Sequence, residues 1–154
     1  HLIGHLQSNK ARKAAALFDC IQTLDSERLA GAIDRALDEL GRTAPLPVFV
    51  EVNVSGEAAK NGVMPAEAPA LVAAIRARCP RLEAVGLMTV GPRVDDPDAA
   101  RPAYRELARL AGEAGLAEVS MGMSGDYEVA IEEGATLVRV GSALFGARRP
   151  AAAP

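Results

Sequence analysis

Short apolar runs and amphipathic segments take turns along nearly the whole chain, and no hairpin signal joins two neighbouring apolar runs. No other feature limits the fold as much. Strands that are each followed by a helix pair in parallel, through right-handed crossovers. The apolar runs are "HLI" (1–3), "CIQTL" (20–24), "PVFVEVNV" (47–54), "LEAVGLMTV" (82–90), "EVSM" (118–121) and "TLVRV" (136–140). Between them the spacing predicts helices. "NKARKAAALF" (9–18) is the first. Asp25 and Ser26 cap a second, whose Leu29, Ile33, Leu37 and Leu40 recur at helical spacing until Gly41. Pro65 starts a third, with Ala68, Leu71, Val72 and Ile75 on its apolar face. Residues 98–114 form a fourth around Tyr104, Leu107 and Ala111, and "GDYEVAIEEG" (125–134) a fifth.

The count is about six βα units, and nearly continuous apolar strands fit burial on both faces. Two architectures satisfy this pattern: an open doubly wound sheet, or a (β/α)8 barrel lacking some units. A full barrel takes about 250 residues, so this chain of 154 is short by about two units. It also opens without a Met, inside a strand-like segment, as a fragment of a longer protein would. Residues 1–150 read as a single domain and 151–154 as a disordered tail.

Composition narrows the function. The net charge is −3 and aromatics make up 3%, which argues against nucleic-acid binding, where basic patches and stacking rings are needed. No apolar run reaches the roughly 18 residues of a membrane span. Cys20 and Cys79 lie far apart, with no metal-ligand spacing, and suit two buried thiols in a reducing cytoplasm.

Two consecutive strands end in a glycine and a hydroxyl that open a helix: "MGMSG" (121–125) and "RVGS" (139–142). In parallel βα folds the functional loops follow the C-terminal strand ends, and barrels often hold phosphate after their last two strands. Free amides at a helix start favour an anion there. Gly141 would allow close approach, and Ser142 and Ser124 would add hydroxyl donors. The competing reading is two ordinary helix caps, and Asp126 would repel an anion unless it points away. Arg139 alternates against Val138 and Val140, so it faces the opposite side and needs an anionic or polar partner. Either a ligand or a structural pair with Glu51 or Glu83 would supply one.

At these residues the chain resembles the YggS/PROSC-type pyridoxal phosphate homeostasis proteins. "HLIGHLQSNK", "VEVNVSGEAAKNG", "VGLMTV" and "SMGMSGDYEVAIEEGATLVRVGSALFGAR" stand in the order typical of that family and cover nearly the whole chain. The resemblance implies a barrel of the alanine racemase N-terminal type, with its first two strands absent here, that binds pyridoxal phosphate (PLP) without catalytic turnover. It implies that Ser124, Gly141 and Ser142 hold the phosphate and that Arg139 lies near the ring. Met121, Met88 and His1 would line the pocket. The lysine that holds the cofactor covalently in the family lies upstream of the "HLIG" segment. Lys10, Lys13 and Lys60 follow no apolar strand in the way that lysine does. The implied partners are PLP and apo forms of PLP-dependent enzymes, and the full-length protein is expected to be a monomer.

Two other functions fit the pattern. One is a PLP-dependent racemase or decarboxylase of the same fold. The other is a barrel enzyme acting on a phosphorylated small molecule, which would need a general base near the cradle; Glu51 has no evident acid–base partner in the sequence.

Overall fold

The computed structural model describes residues 1–146 of the 154-residue chain; the tail expected at 151–154 lies outside the described residues. Five strands form one sheet: β1 (Ile21–Leu24), β2 (Leu46–Glu51), β3 (Leu82–Met88), β4 (Glu118–Met123) and β5 (Leu137–Arg139). The helices are α1 (Ala11–Leu17), α2 (Glu27–Glu39), α3 (Ala68–Arg78), α4 (Arg101–Glu113), α5 (Tyr127–Glu132) and α6 (Ser142–Phe145). Single 3-10 turns at Ser8–Lys10, Pro65–Glu67 and Pro97–Ala100 lead into α1, α3 and α4.

Every neighbouring pair is parallel, and the spatial order is the chain order, β1-β2-β3-β4-β5. A doubly wound sheet would reverse direction at a switch point; this one does not. The sheet is also curled. In a flat sheet β1 and β4 would lie about 14 Å apart, at 4.7–4.9 Å per strand, further than a serine and a glutamine can reach together. Yet Ser120 Oγ on β4 donates a 2.6 Å hydrogen bond to Gln22 Oε1 on β1. The fold is therefore a parallel half-barrel.

The opening "HLI" adds less than a strand. The chain bends at Gly4, directly after it, and it makes a single parallel bridge, Leu2 to Ile21. Leu2 N donates to Cys20 O and Gln22 N to Leu2 O, both at 2.9 Å. The sheet thus holds five strands where the apolar runs suggest six. β2 ends at Glu51 rather than continuing to residue 54, because the chain turns at Asn53. There the Asn53 backbone accepts a bend, its N–H donating to Val63 O at 2.8 Å and its side-chain amide to Glu57 O at 2.9 Å.

Side-chain alternation divides the interior in two. On the convex side, Val48, Val50, Leu87, Val119 and Met121 pack against Leu29, Ile33 and Leu37 of α2, Leu71, Val72 and Ile75 of α3, and Tyr104 and Leu107 of α4. Ser26 caps α2 by accepting from Leu29 N at 3.3 Å. On the concave side, Cys20, Phe49 and Met88 form a smaller apolar floor, with Val85 and Leu137 against it.

Gly86 lets that floor close. A Cβ on it would sit 2.3 Å from the Glu118 carbonyl oxygen and 2.7 Å from the Phe49 ring. Gly86→Ala should therefore destabilise the fold by about 1–3 kcal/mol or more, the cost of overpacking against backbone. Gly112 near the end of α4 has open space around its missing Cβ, so Gly112→Ala should stabilise by about 0.4–1 kcal/mol. Chemical denaturation of both variants checks the contrast.

Candidate functional site

A directional chain of hydrogen bonds crosses the concave face above the apolar floor. Arg139 Nη1 donates to Ser120 Oγ at 2.7 Å, Ser120 Oγ to Gln22 Oε1 at 2.6 Å, and Gln22 Nε2 reaches His1 Nδ1 at 2.9 Å. The amide donates, so His1 Nδ1 accepts. Arg139 Nη2 also donates to Thr89 O at 2.7 Å. Three strands and the first residue are thus tied through the middle of the half-barrel. Arg139 faces inward, as its alternation with Val138 predicts. Burial lowers its pKa from the ordinary value, an effect opposed by Tyr104, Glu51 and Asp126. Neither acidic residue proposed as a structural pair is bonded to it: Glu83 is exposed, and Glu51 forms no ion pair among the described residues.

Glu51 itself is 5% exposed, and its Oε2 is buried without a hydrogen-bond partner among the described residues. Burial, and then the negative charge of Asp25, push its pKa up to about 7, while Arg139 pulls it back. Asp25, just beyond β1, is held by His5 Nδ1 at 3.5 Å and by Ser26 Oγ at 3.1 Å.

The two glycine–serine turns meet at the C-terminal edge of β4 and β5. Gly141 N donates to Ser124 Oγ at 3.1 Å, and Ala143 N to the same oxygen at 3.2 Å. Two amides at the start of α6 therefore converge on one oxygen. A Cβ added at Gly141 would meet nothing within 4 Å, and Ser142 is exposed. A cavity of about 330 Å³ lies beside the first turn and α5, lined by Ser124, Gly125, Asp126, Tyr127 and Glu128, with Ala143 of α6 at its edge. Asp126 is turned away from the amides. Its Oδ1 accepts from Met123 N and its Oδ2 from Tyr104 Oη, both at 2.6 Å. This local turn is why α5 begins at Tyr127 rather than at Gly125.

Of the residues the resemblance implies, Ser124, Gly141 and Ser142 gather at the turns. Arg139 and His1 lie at the two ends of the hydrogen-bonded chain, and Met88 lies in the concave floor. Met121 does not join them. Ser120 faces the concave side, so its neighbour Met121 faces the helices, fully buried in the convex core. Lys60 sits on the C-terminal face but is fully engaged: its Nζ donates to Glu57 Oε1 at 2.6 Å, Gly91 O at 2.9 Å and Ser55 Oγ at 3.2 Å. The sequence reading did not single out Gln22 and Ser120. Their signal is a polar side chain inside a short apolar run, in "CIQTL" and "EVSM".

The family model for the alanine racemase N-terminal domain matches residues 1–149. A pyridoxal phosphate homeostasis protein of Mus musculus is 43% identical over 159 residues, covering 96% of this chain and 58% of the relative. The chain thus spans less than two thirds of that relative's length. The structure of PipY from Synechococcus elongatus without PLP is similar at a TM-score of 0.86 and 37% identity, over 95% of this chain and 70% of that one. The same protein with PLP bound is similar at 0.78 and 35%, over 95% and 69%.

The Glu51 carboxyl makes stability depend on pH. Between its ordinary value of 4.5 and about 7, the folded chain keeps a proton that the unfolded chain releases, so stability falls as pH rises through that window. Glu51→Gln should remove this dependence. At pH 8 the variant should be more stable than the parent by about 2–3 kcal/mol, and at pH 4.5 the difference should vanish. Urea denaturation across this range measures it.

Proposed function

Because the chain belongs to the alanine racemase N-terminal domain family, and within it to the pyridoxal phosphate homeostasis proteins, we propose that it forms the larger part of a PLP-binding barrel that holds the cofactor and balances its supply. Further strands, the first of them carrying the family's covalent lysine, would close the half-barrel in the complete protein. The observation that carries this reading is the convergence of Gly141 N and Ala143 N on one oxygen, with open space beside Gly141. A phosphate oxygen is a charged acceptor and makes stronger bonds to such amides than the Ser124 hydroxyl does. Ser124 Oγ stands where such an oxygen would bind, and with Ser142 it would turn to donate.

PLP supplies an aldehyde and an electron-withdrawing pyridine ring. Arg139 keeps N–H donors beyond the two that Ser120 and Thr89 use. Facing the ring, a permanently charged guanidinium keeps the ring nitrogen unprotonated and weakens its pull on electrons. That suits a carrier more than a racemase or decarboxylase, and the relatives are named as homeostasis proteins rather than enzymes. Delivery to apo-enzymes belongs to the same reading. The two buried, free cysteines suit a cytoplasmic setting.

The test is PLP affinity by equilibrium dialysis, with inorganic phosphate as competitor. A hydrogen bond to a charged group is worth roughly 1.5–3 kcal/mol, so Ser142→Ala should weaken binding about tenfold or more. Gly141→Val should do more harm, because the branched side chain fills the open space at the amides. Arg139→Ala should shift the absorption spectrum of the bound cofactor more than it lowers phosphate affinity. Parent-like binding by both turn variants would reduce the turns to helix caps.

Covalent capture by this chain should be weak. Lys60 Nζ is bound to Ser55, Glu57 and Gly91, and these contacts must break before it can reach an aldehyde. Incubation with PLP, borohydride reduction and peptide mass spectrometry should show scattered, sub-stoichiometric lysine labelling. Stoichiometric labelling of Lys60 would contradict this.

A further inference from the structure

Glu51 has no role in the reading above. Its side chain is on β2, on the same face as the Gln22–Ser120–Arg139 chain, and Oε2 is buried with no hydrogen-bond partner among the described residues. A buried carboxyl in that state costs folding energy unless something pairs with it. The charged groups that act on it are Asp25 at the end of β1, itself engaged by His5 and Ser26, and Arg139 on β5. Arg139 does not serve as the missing donor: its Nη1 and Nη2 bond Ser120 and Thr89, and none of its N–H groups bonds Glu51. Among the described residues, this end of the concave face therefore lacks a positively charged hydrogen-bond donor.

We propose that Glu51 is a specificity residue that receives a primary ammonium group of the ligand, so that the site favours the amine form of the vitamer phosphate over forms bearing a neutral group at the same position. The proposal rests on the vitamer-binding reading and deepens it: one end of the site would take the phosphate that all forms share, and the other would sort the forms by charge. Asp25 strengthens the preference, since a second carboxylate adds attraction for a cation and repulsion for an anion. Where no lysine captures the aldehyde, the site would retain the aminomethyl form more firmly than the aldehyde form.

The test compares two nearly isosteric probes, pyridoxamine 5′-phosphate (aminomethyl) and pyridoxine 5′-phosphate (hydroxymethyl), on the whole chain by calorimetry. Neither carries an aldehyde, so lysine chemistry does not enter. At pH 8, with Glu51 ionised, the aminomethyl probe should bind at least tenfold more tightly. In Glu51→Gln the two affinities should come within about threefold, with pyridoxine 5′-phosphate binding retained. In the parent at pH 5.5, where Glu51 carries a proton, the preference should collapse in the same way; this arm needs no variant. Equal affinities in the parent at pH 8, or a preference that survives in Glu51→Gln, would overturn the assignment while leaving the vitamer reading intact. Failure of both probes to bind would overturn the vitamer reading and this proposal together.

Discussion

The hydrogen bond from Ser120 to Gln22 is the contact on which the rest depends. It joins strands that a flat sheet would hold far apart, so it forms only if the sheet curls. Curling in turn gives the sheet an inside. Once there is an inside, Arg139 at the far strand can donate into Ser120 and Gln22 can pass the chain on to His1. Each member polarises the next in one direction, which strengthens the series. Loss of Ser120 would leave both a guanidinium N–H and an amide oxygen unpaired, so the chain fails as a unit.

Burial of Arg139 is then tolerable because its fixed charge is solvated by oxygen atoms rather than neutralised by a carboxylate. A bonded Glu51–Arg139 pair would have closed the concave face with an ion pair. The structure keeps the two apart, Glu51 buried and Arg139 half-buried, the arginine partly satisfied and the carboxyl not. That separation preserves free donors on Arg139 and a free acceptor on Glu51, which is the polarity a ligand with both kinds of group can use. The convex core, packed around Leu87, Met121 and Tyr104, carries the stability that such an open polar layer costs.

Much of this was legible in the residues. The βα alternation, the inward Arg139 and the meeting of the two glycine–serine turns all follow from period and position, since strand ends in a parallel sheet share one rim. The details that escaped depend on parity and on local turns. Met121 reads as a pocket residue until Ser120 is known to face inward; one position then decides the side. "HLI" reads as a strand because propensity does not report whether neighbouring backbone will pair with more than one residue. β2 looked longer because "VNV" is apolar, but the Asn53 amide captures the loop and ends the strand. No periodicity predicts an unpaired buried oxygen on Glu51, because that is a property of every neighbour at once.

The two ends of the concave face differ in kind. The turns at β4 and β5 present backbone amides, which accept any anion of the right size and discriminate little between ligands that share a phosphate. The β1–β2 end presents carboxylates, whose attraction depends on the charge the ligand brings. On the proposed reading, binding strength and selectivity would fall to different strands, joined by the Gln22–Ser120–Arg139 chain. A substitution at the turns would then change how much ligand is held, whereas one at Glu51 would change which form is held. This division follows from the topology: parallel strands in chain order bring every C-terminal end to one rim, yet place β2 and β5 on different sides of it.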